Sequence, residues 1–280
     1  MYPRYDVGRI LSETIEVVRR STCPGVEIFN IGHSSHAWGH INGAFAFGSM
    51  WSWQGQLDYR RRNHDLCAGS TFLFDPGEFF QSTPFEGRPG SFRVIEISPE
   101  SFQTLCRREG ARGPIHFGPT TTKATPALTH ALNGLQAALA QEAEPLEVQA
   151  WLAAIAHGSI ASVLERTLQV TKTFSPLGPC EQLRELLHSP DGTDINLGDF
   201  AERAGVSQFQ LLRAFKRRYG SPPHAYGLHV RIQRARHMLR GGCTVAEAAA
   251  ANDFTDQSHF TRHFRRIFAV TPGQYAAAPR

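Results

Sequence analysis

Residues 196–220 read NLGDFAERAGVSQFQLLRAFKRRYG, and the spacing of their apolar side chains decides the fold of the C-terminal third. Asn196 predicts a helix N-cap, with Asp199 three positions on as its partner. Leu197, Phe200, Ala201 and Ala204 then recur at helical spacing. Gly205 ends that short helix and permits a tight turn. Ser207 caps a second helix, which runs to Tyr219 and stops at Gly220. In it Leu211, Phe215 and Tyr219 lie four residues apart and face a core. Phe209, Leu212, Arg213 and Lys216 fall on another face, pointing outward. A short helix, a glycine turn and a longer helix with a basic outer face make a helix-turn-helix.

The pattern recurs in residues 244–268, TVAEAAAANDFTDQSHFTRHFRRIF. Thr244 and Glu247 form a capping box, and Asp253–Thr255 make the turn. Phe260, Phe264 and Phe268 point inward, while Gln257, Ser258, Thr261, Arg262 and Arg265 point outward. At an offset of 49 residues Leu211 matches Phe260, Arg213 matches Arg262, Phe215 matches Phe264 and Lys216 matches Arg265. Pro223 and Tyr226 match Pro272 and Tyr275 in the same way. Between the copies, PPHAYGLHVRIQRARHMLR predicts one connecting helix, with Pro222 near its start and Gly241 after its end. Tandem helix pairs can also serve as protein-binding modules with solvated arginines. Both longer helices, however, put an arginine, a second cation and polar groups on one relative face. Duplex DNA needs that arrangement: cations for phosphates and planar donors for base edges.

Charge follows the same division. Residues 181–280 carry fourteen Lys and Arg against nine Asp and Glu, whereas residues 1–180 carry fifteen against sixteen. A basic domain joined to a near-neutral one suits a nucleic-acid reader with a separate sensing domain. The apolar fraction of 41% and charged fraction of 19% are those of a globular chain. Cys23, Cys67, Cys106, Cys180 and Cys243 are odd in number and include no C-x-x-C pair, which fits neither a disulfide framework nor a zinc site. A reducing, cytoplasmic setting is expected. The N-terminus lacks the apolar stretch of a signal peptide. No apolar run approaches the ~20 residues that span a bilayer, so no membrane partner is expected.

Upstream, residues 1–125 read mostly as β. Val26–Ile31, Ala44–Trp53, Thr71–Phe74 and Phe92–Ile97 are short aromatic and β-branched runs separated by Gly, Pro and Asn. Residues 126–170 switch to helical spacing at Leu128, Leu132, Leu135 and Leu139, break at Pro145, and resume at Trp151 and Ile155. Two helices packed antiparallel are predicted, and their leucine face predicts self-association. Residues 171–179 (TKTFSPLGP) read as a linker, and 180–280 as the DNA-binding domain.

The stretches LGDFAERAGVSQFQLLRAFKRRYGSPPHAY and FTDQSHFTRHFRRIFAVTPGQY resemble the AraC/XylS family of bacterial transcription regulators. The resemblance covers about residues 180–278. It implies an α+β two-domain chain: an N-terminal cupin-like β-barrel with a helical pair, and a C-terminal all-α double helix-turn-helix. It also implies a sequence-specific regulator without enzymatic activity or cofactor. Its partners would be double-stranded DNA, a small-molecule effector in the barrel, a second copy of the chain, and RNA polymerase. DNA-facing positions then fall on Gln208, Phe209, Leu212 and Arg213 in the first unit, and on Gln257, Ser258, Thr261 and Arg262 in the second. Arg213 and Arg262 would donate bidentately to guanine, Gln257 would pair with adenine, and Leu212 would touch a thymine methyl. Lys216, Arg217, Arg265 and Arg266 suit phosphates. The alternative for Arg213 and Arg262 is a phosphate clamp or an intramolecular ion pair. Asp253 and Ala269 stand where the family usually has glycine, and Leu212 where it is often polar.

The barrel resemblance rests on LCAGSTFLFDPGEFFQSTPF. Alternation over Phe45, Phe47, Trp51 and Trp53 predicts one shared face. It makes Trp38, Phe45, Trp51 and Trp53 candidate effector contacts, with Arg61, Arg60 or Arg62 to meet an acidic group. The same aromatics would equally make a plain core. His33, His36, His40 and His64 are candidate metal ligands, but Glu78 is followed by two phenylalanines rather than histidine, so loop or core histidines are expected and no metal. A metal-dependent cupin enzyme with an attached DNA-binding domain, and an effector-free regulator whose barrel docks proteins, remain the alternatives.

Overall fold

The computed structural model describes residues 13–21, 23–60, 62–117, 124–167, 178–189 and 195–278, with the backbone alone at 164–167. Among the described residues nine strands come first: β1 (Thr14–Val18), β2 (Val26–Ser34), β3 (Trp38–Ile41), β4 (Phe45–Met50), β5 (Gly55–Tyr59), β6 (Arg62–Leu66), β7 (Thr71–Phe74), β8 (Phe79–Pro84) and β9 (Gly90–Ile97). Ten α-helices of the described residues follow: α1 (Pro99–Arg108), α2 (Pro126–Ala140), α3 (Pro145–Thr167), α4 (Pro179–Leu187), α5 (Leu197–Arg203), α6 (Gln208–Tyr219), α7 (Pro223–Gly241), α8 (Val245–Ala250), α9 (Gln257–Phe268) and α10 (Pro272–Ala276).

The strands form two antiparallel sheets, one ordered β1-β2-β9-β4-β7 and the other β3-β8-β5-β6. The cupin-like barrel is thus two facing sheets rather than a closed ring of strands. Strand alternation splits the larger sheet into two faces. Phe29, Ile31, Ala46, Met50, Phe72, Phe74 and Phe92 pack toward Trp38, Leu57, Tyr59 and Leu66 of the smaller sheet. The intervening residues Ile28, Phe45, Phe47, Leu73, Ile95 and Ile97 face outward and are buried under α1, α2 and α3. Alternation puts position 48 on the inner face, where a Cβ would strike the Phe72 ring, so glycine fits there.

That division corrects two expectations. Phe45 packs 4.2 Å from the Phe102 ring of α1 and 5.6 Å from Phe117, so it belongs to the core under the helices and not to the barrel interior. The turn after β4 breaks the alternation, so Trp51 swings outward and Trp53 inward. Trp51 is 47% exposed and lies under the Arg93 guanidinium, whereas Trp53 is buried. The leucine face of the helical pair is also covered within the chain. Leu128, Leu132, Leu135 and Leu139 are buried against α3 and the larger sheet. The stated reason for self-association is therefore satisfied without a second copy.

The C-terminal helices begin and end where the sequence signals stand. Asn196 accepts from the Gly198 and Asp199 N–H groups at the start of α5. Capping boxes at Ser207–Gln210 and Thr244–Glu247 open α6 and α8, and a third, Thr271–Gln274, opens α10. Gly205 (φ 68°) and Gly220 (φ 74°) take the left-handed turns. Asp253 (φ 55°) and Ala269 (φ 56°) adopt the same backbone without being glycine. The connecting helix α7 runs one residue further than expected, and Gly242 (φ 100°) caps it.

The reader packs directly on the sheets. Phe260, Phe264, Phe268 and Tyr275 share one apolar core with Phe29, Ala46 and Phe92. A second seam joins α7 to β3 and to the turn before β8: the Ile41 N–H donates to His229 Nδ1 at 3.1 Å, Gln233 Nε2 donates to the Ile41 carbonyl at 2.8 Å, and the Tyr226 hydroxyl donates to the Gly77 carbonyl at 3.0 Å.

Candidate nucleic-acid interface and barrel cavity

The reader faces of α6 and α9 are built by elimination of their apolar positions. Leu211, Phe215 and Tyr219 turn inward on α6, as do Phe260, Phe264, Ile267 and Phe268 on α9. Gln208, Phe209, Arg213, Lys216 and Arg217 are left exposed on the first helix, and Leu212 half-buried. On the second, Gln257, Ser258, Arg262, Arg265 and Arg266 are exposed and Thr261 is half-buried.

Four arginines of this domain that lie off those faces are engaged or buried within the chain. Arg218 pairs with Glu181, Arg231 donates to the Asp253 carbonyl, Arg234 to the His188 and Ser189 carbonyls, and Arg236 is buried. Among the described residues, the side chains of Arg213, Lys216, Arg217, Arg262 and Arg265 make no ion pair or hydrogen bond. The alternative of an intramolecular pair for Arg213 and Arg262 therefore finds no partner there. Unpaired guanidinium groups on one face are free to meet phosphate or guanine. Beside α9 lies an open cleft lined by Gln257, Ser258, Thr261, Arg262, Arg265 and Arg266. Glu13 and His36 of the N-terminal domain line it too, and the His36 ring sits 3.2 Å from the Arg266 carbonyl.

A second feature lies between the two sheets. A cavity of about 60 Å³ is lined by Phe29, Ile31, Met50, Leu57, Phe72, Phe74, Phe80 and Phe92, with Trp38, Trp53, His40, Asn42, Ser82 and Glu96 among the polar members. Phe268, the last residue of α9, also lines it, 5.6 Å from the His40 ring. Of the candidate effector contacts, Trp38 and Trp53 are brought to this wall, Phe45 and Trp51 are not, and Arg61 lies outside the described residues. Arg60 is tied to Asp75 and Glu78 at 3.0 Å each, and Arg62 is exposed. His40 sits in the cavity wall, His36 at the reader and His64 on β6. Among the described residues no three His, Cys, Asp or Glu side chains gather as a metal would need.

Sequence reasoning missed the residues that join cavity to reader. On the inner face of β2 and β9, Glu27 and Glu96 are buried at the end where α7 docks. Arg236 lies 2.5 Å from each. The Tyr275 hydroxyl donates to Glu27 Oε1 at 2.6 Å, and Arg19 Nε donates to the same oxygen at 2.5 Å. Burial drives the Glu27 carboxyl up, but Arg236, Arg19 and the hydrogen bonds from Tyr275 and Arg19 outweigh it and bring its pKa to about 2. The available signal was a glutamate inside an apolar strand run, VEIF and VIEI, which needs a buried cation from elsewhere.

A helix-turn-helix domain model matches residues 200–278, and an AraC-like ligand binding domain model matches residues 28–156. The chain belongs to the AraC/XylS family of transcriptional regulators. It carries an AraC-type DNA-binding domain joined to an AraC-like ligand-binding domain. The transcriptional regulator YbfI of Bacillus subtilis is 24% identical over 79% of this chain and 80% of its own length. The transcriptional activator RhaS of Pectobacterium carotovorum is 27% identical over 74% and 76%. The transcriptional regulator MtrA of Neisseria gonorrhoeae is 32% identical, over 33% and 31%. ToxT from Vibrio cholerae shares the fold of this AraC-family chain over 90% of it and 94% of ToxT, with a TM-score of 0.58 at 13% identity. No helix among the described residues is long and apolar enough to cross a membrane.

Proposed function

We propose that this AraC-family chain is a sequence-specific regulator whose second reader is governed by a small molecule held between the sheets of its N-terminal domain. Phe268 carries the reading. It closes the second reader helix and at the same time forms part of the cavity wall. A ligand that moves Phe268 moves α9, and one that binds the docked and undocked arrangements unequally shifts their populations. ToxT, whose fold the chain shares, is known as a crystal structure with an unsaturated fatty acid bound, which supports a small-molecule site in this architecture. The cavity also argues against a barrel packed shut by its aromatics.

In this reading Arg213 and Arg262 contact base edges, with Gln208, Phe209, Leu212, Gln257, Ser258 and Thr261 around them. Lys216, Arg217, Arg265 and Arg266 hold phosphates. A homodimer would use the outer surface of α2 and α3, where Leu146 stands 81% exposed; RNA polymerase and a cytoplasmic setting complete the proposal. Selection of the full chain on random-sequence duplexes tests it. The expected product is a bipartite motif with half-sites about one helical turn apart. Phe268→Leu should change affinity for that motif although residue 268 is off the DNA face. A Phe268→Leu chain that folds and binds the motif as the parent does would refute the coupling.

A further inference from the structure

The cavity wall is mostly hydrocarbon, yet it holds buried polar atoms that nothing in the chain satisfies. Among the described residues, Trp38 Nε1, His40 Nδ1, Trp53 Nε1 and both amide atoms of Asn42 have no hydrogen-bond partner. All four residues line the cavity, and each is more than nine-tenths buried. A buried polar atom left unpaired forfeits the hydrogen bonds it made to water, so a cluster of them around one cavity points to a molecule that completes it. The two indoles flank Phe92, at 5.9 and 6.0 Å between rings. His40 packs against Phe80 and Phe268, and Asn42 follows two residues later at the exit of β3.

The charge of that molecule is constrained by the same wall. Among the described residues no lysine or arginine lines the cavity. Glu96, the carboxylate among them that does, is already bridged to Arg236. Burial holds the His40 ring well below the usual histidine range, and His229, Arg236 and His36 push the same way, so it stays neutral. An anion would lose its water with no counter-charge, and a cation would have to take Glu96 from Arg236. The indoles can only donate, while the Asn42 amide both donates and accepts. One water needs roughly 10–15 Å³ of such space and occupies about 30 Å³ of liquid. The cavity of about 60 Å³ therefore suits something like one substituted ring.

Resting on the reading that this cavity is the effector site, we propose that it selects a neutral single-ring molecule whose polar end both accepts and donates hydrogen bonds, as a carboxamide does. Asn42, His40 and an indole N–H would meet that end, and the Phe268 ring would pack beside it.

The test uses the full chain and four probes: benzamide, benzoate, benzamidinium and toluene. The first three share a shape and differ in charge, and the fourth lacks the polar end. Affinities are measured by calorimetry, with the indole N–H resonances of Trp38 and Trp53 followed by NMR. Benzamide should bind at least tenfold tighter than benzoate or benzamidinium and tighter than toluene, and should move the indole resonances. Asn42→Leu should erase the advantage of benzamide over toluene without weakening toluene. Should that variant fail to fold, the charge series on the parent chain decides. Benzoate or benzamidinium within threefold of benzamide, or toluene equal to it, overturns the ligand class and leaves the cavity as effector site. If none of the four binds and the indole resonances stay put, the cavity is no effector site, and the proposed function falls with it.

Discussion

Glu27 and Glu96 stand directly opposite each other across the β2–β9 ladder, and both carboxylates are buried. Like charges in cross-strand register repel, and Arg236 from α7 resolves the conflict by bridging them at 2.5 Å each. A strand pair in one domain is thus electrostatically complete only when the other domain is docked.

Arg236→Met should expose that dependence. Removing one partner of a buried ion cluster typically costs about 3–5 kcal/mol, because the remaining charges are left uncompensated. The variant should melt earlier or lose its docked arrangement, and limited proteolysis of the interdomain segment should accelerate. Adding Glu96→Gln should recover part of the loss, since the cross-strand repulsion goes with that charge while Glu27 keeps Arg19 as its partner. A double variant no more stable than Arg236→Met alone would assign the role of Arg236 to packing instead.

Acid should loosen the seam between α7 and β3 before it reaches the carboxylates. Burial, then Arg266 and His263, push His229 down to a pKa of about 4, and its Nδ1 accepts from the Ile41 N–H. The unfolded histidine takes its proton near pH 6.5, so the unfolded state binds more protons between there and about 4. Stability from this group is complete above pH 6.5 and declines as pH falls, by at most about 1.4 kcal/mol per pH unit. His40 adds in the same direction. Melting temperatures between pH 8 and pH 5 should show the decline, and His229→Gln, which can still accept from Ile41, should flatten it. An identical slope in parent and variant would remove His229 from the account.

The two readers should separate in their DNA behaviour. Arg213→Ala and Arg262→Ala should each relax selectivity at one half-site by roughly 1–3 kcal/mol. Lys216→Ala should instead weaken all sequences alike and reduce the salt dependence by about 0.9 in slope. Binding at several salt concentrations distinguishes them. Uniform weakening from all three changes would mean that the arginines serve phosphates.

Ala269 caps α9 with φ 56° and ψ 0°, a backbone that costs a residue with a Cβ roughly 1–2 kcal/mol. Ala269→Gly should therefore stabilise the reader by about 1 kcal/mol after the loss of chain entropy. Thermal melts would show it as a rise of a few degrees. A fall would mean that the Ala269 methyl, half-buried against the shared core, contributes more than the strain removes.

The helix-turn-helix units were legible because their information is local. Asn196, Ser207 and Thr244 name helix starts through bonds three residues long, and Gly205 and Gly220 name helix ends through backbone freedom. The inner side of each helix follows from a period of 3.6 residues. In the N-terminal domain local pattern misled where a turn intervened: β4 put Phe45 under the helices, and the loop after it sent Trp51 outward and Trp53 inward.

The sequence by itself determined the double reader, its exposed cations and the change from strands to helices. Each of these rests on neighbours a few positions apart. Only the tertiary structure decided that Phe268 closes a cavity in the other domain, and that Arg236 answers Glu27 and Glu96 across separations of 209 and 140 residues. Burial of charge is meaningful only once the partner's position is known. Which glutamate meets which arginine is set by how two finished domains pack, and no local period in the chain encodes that.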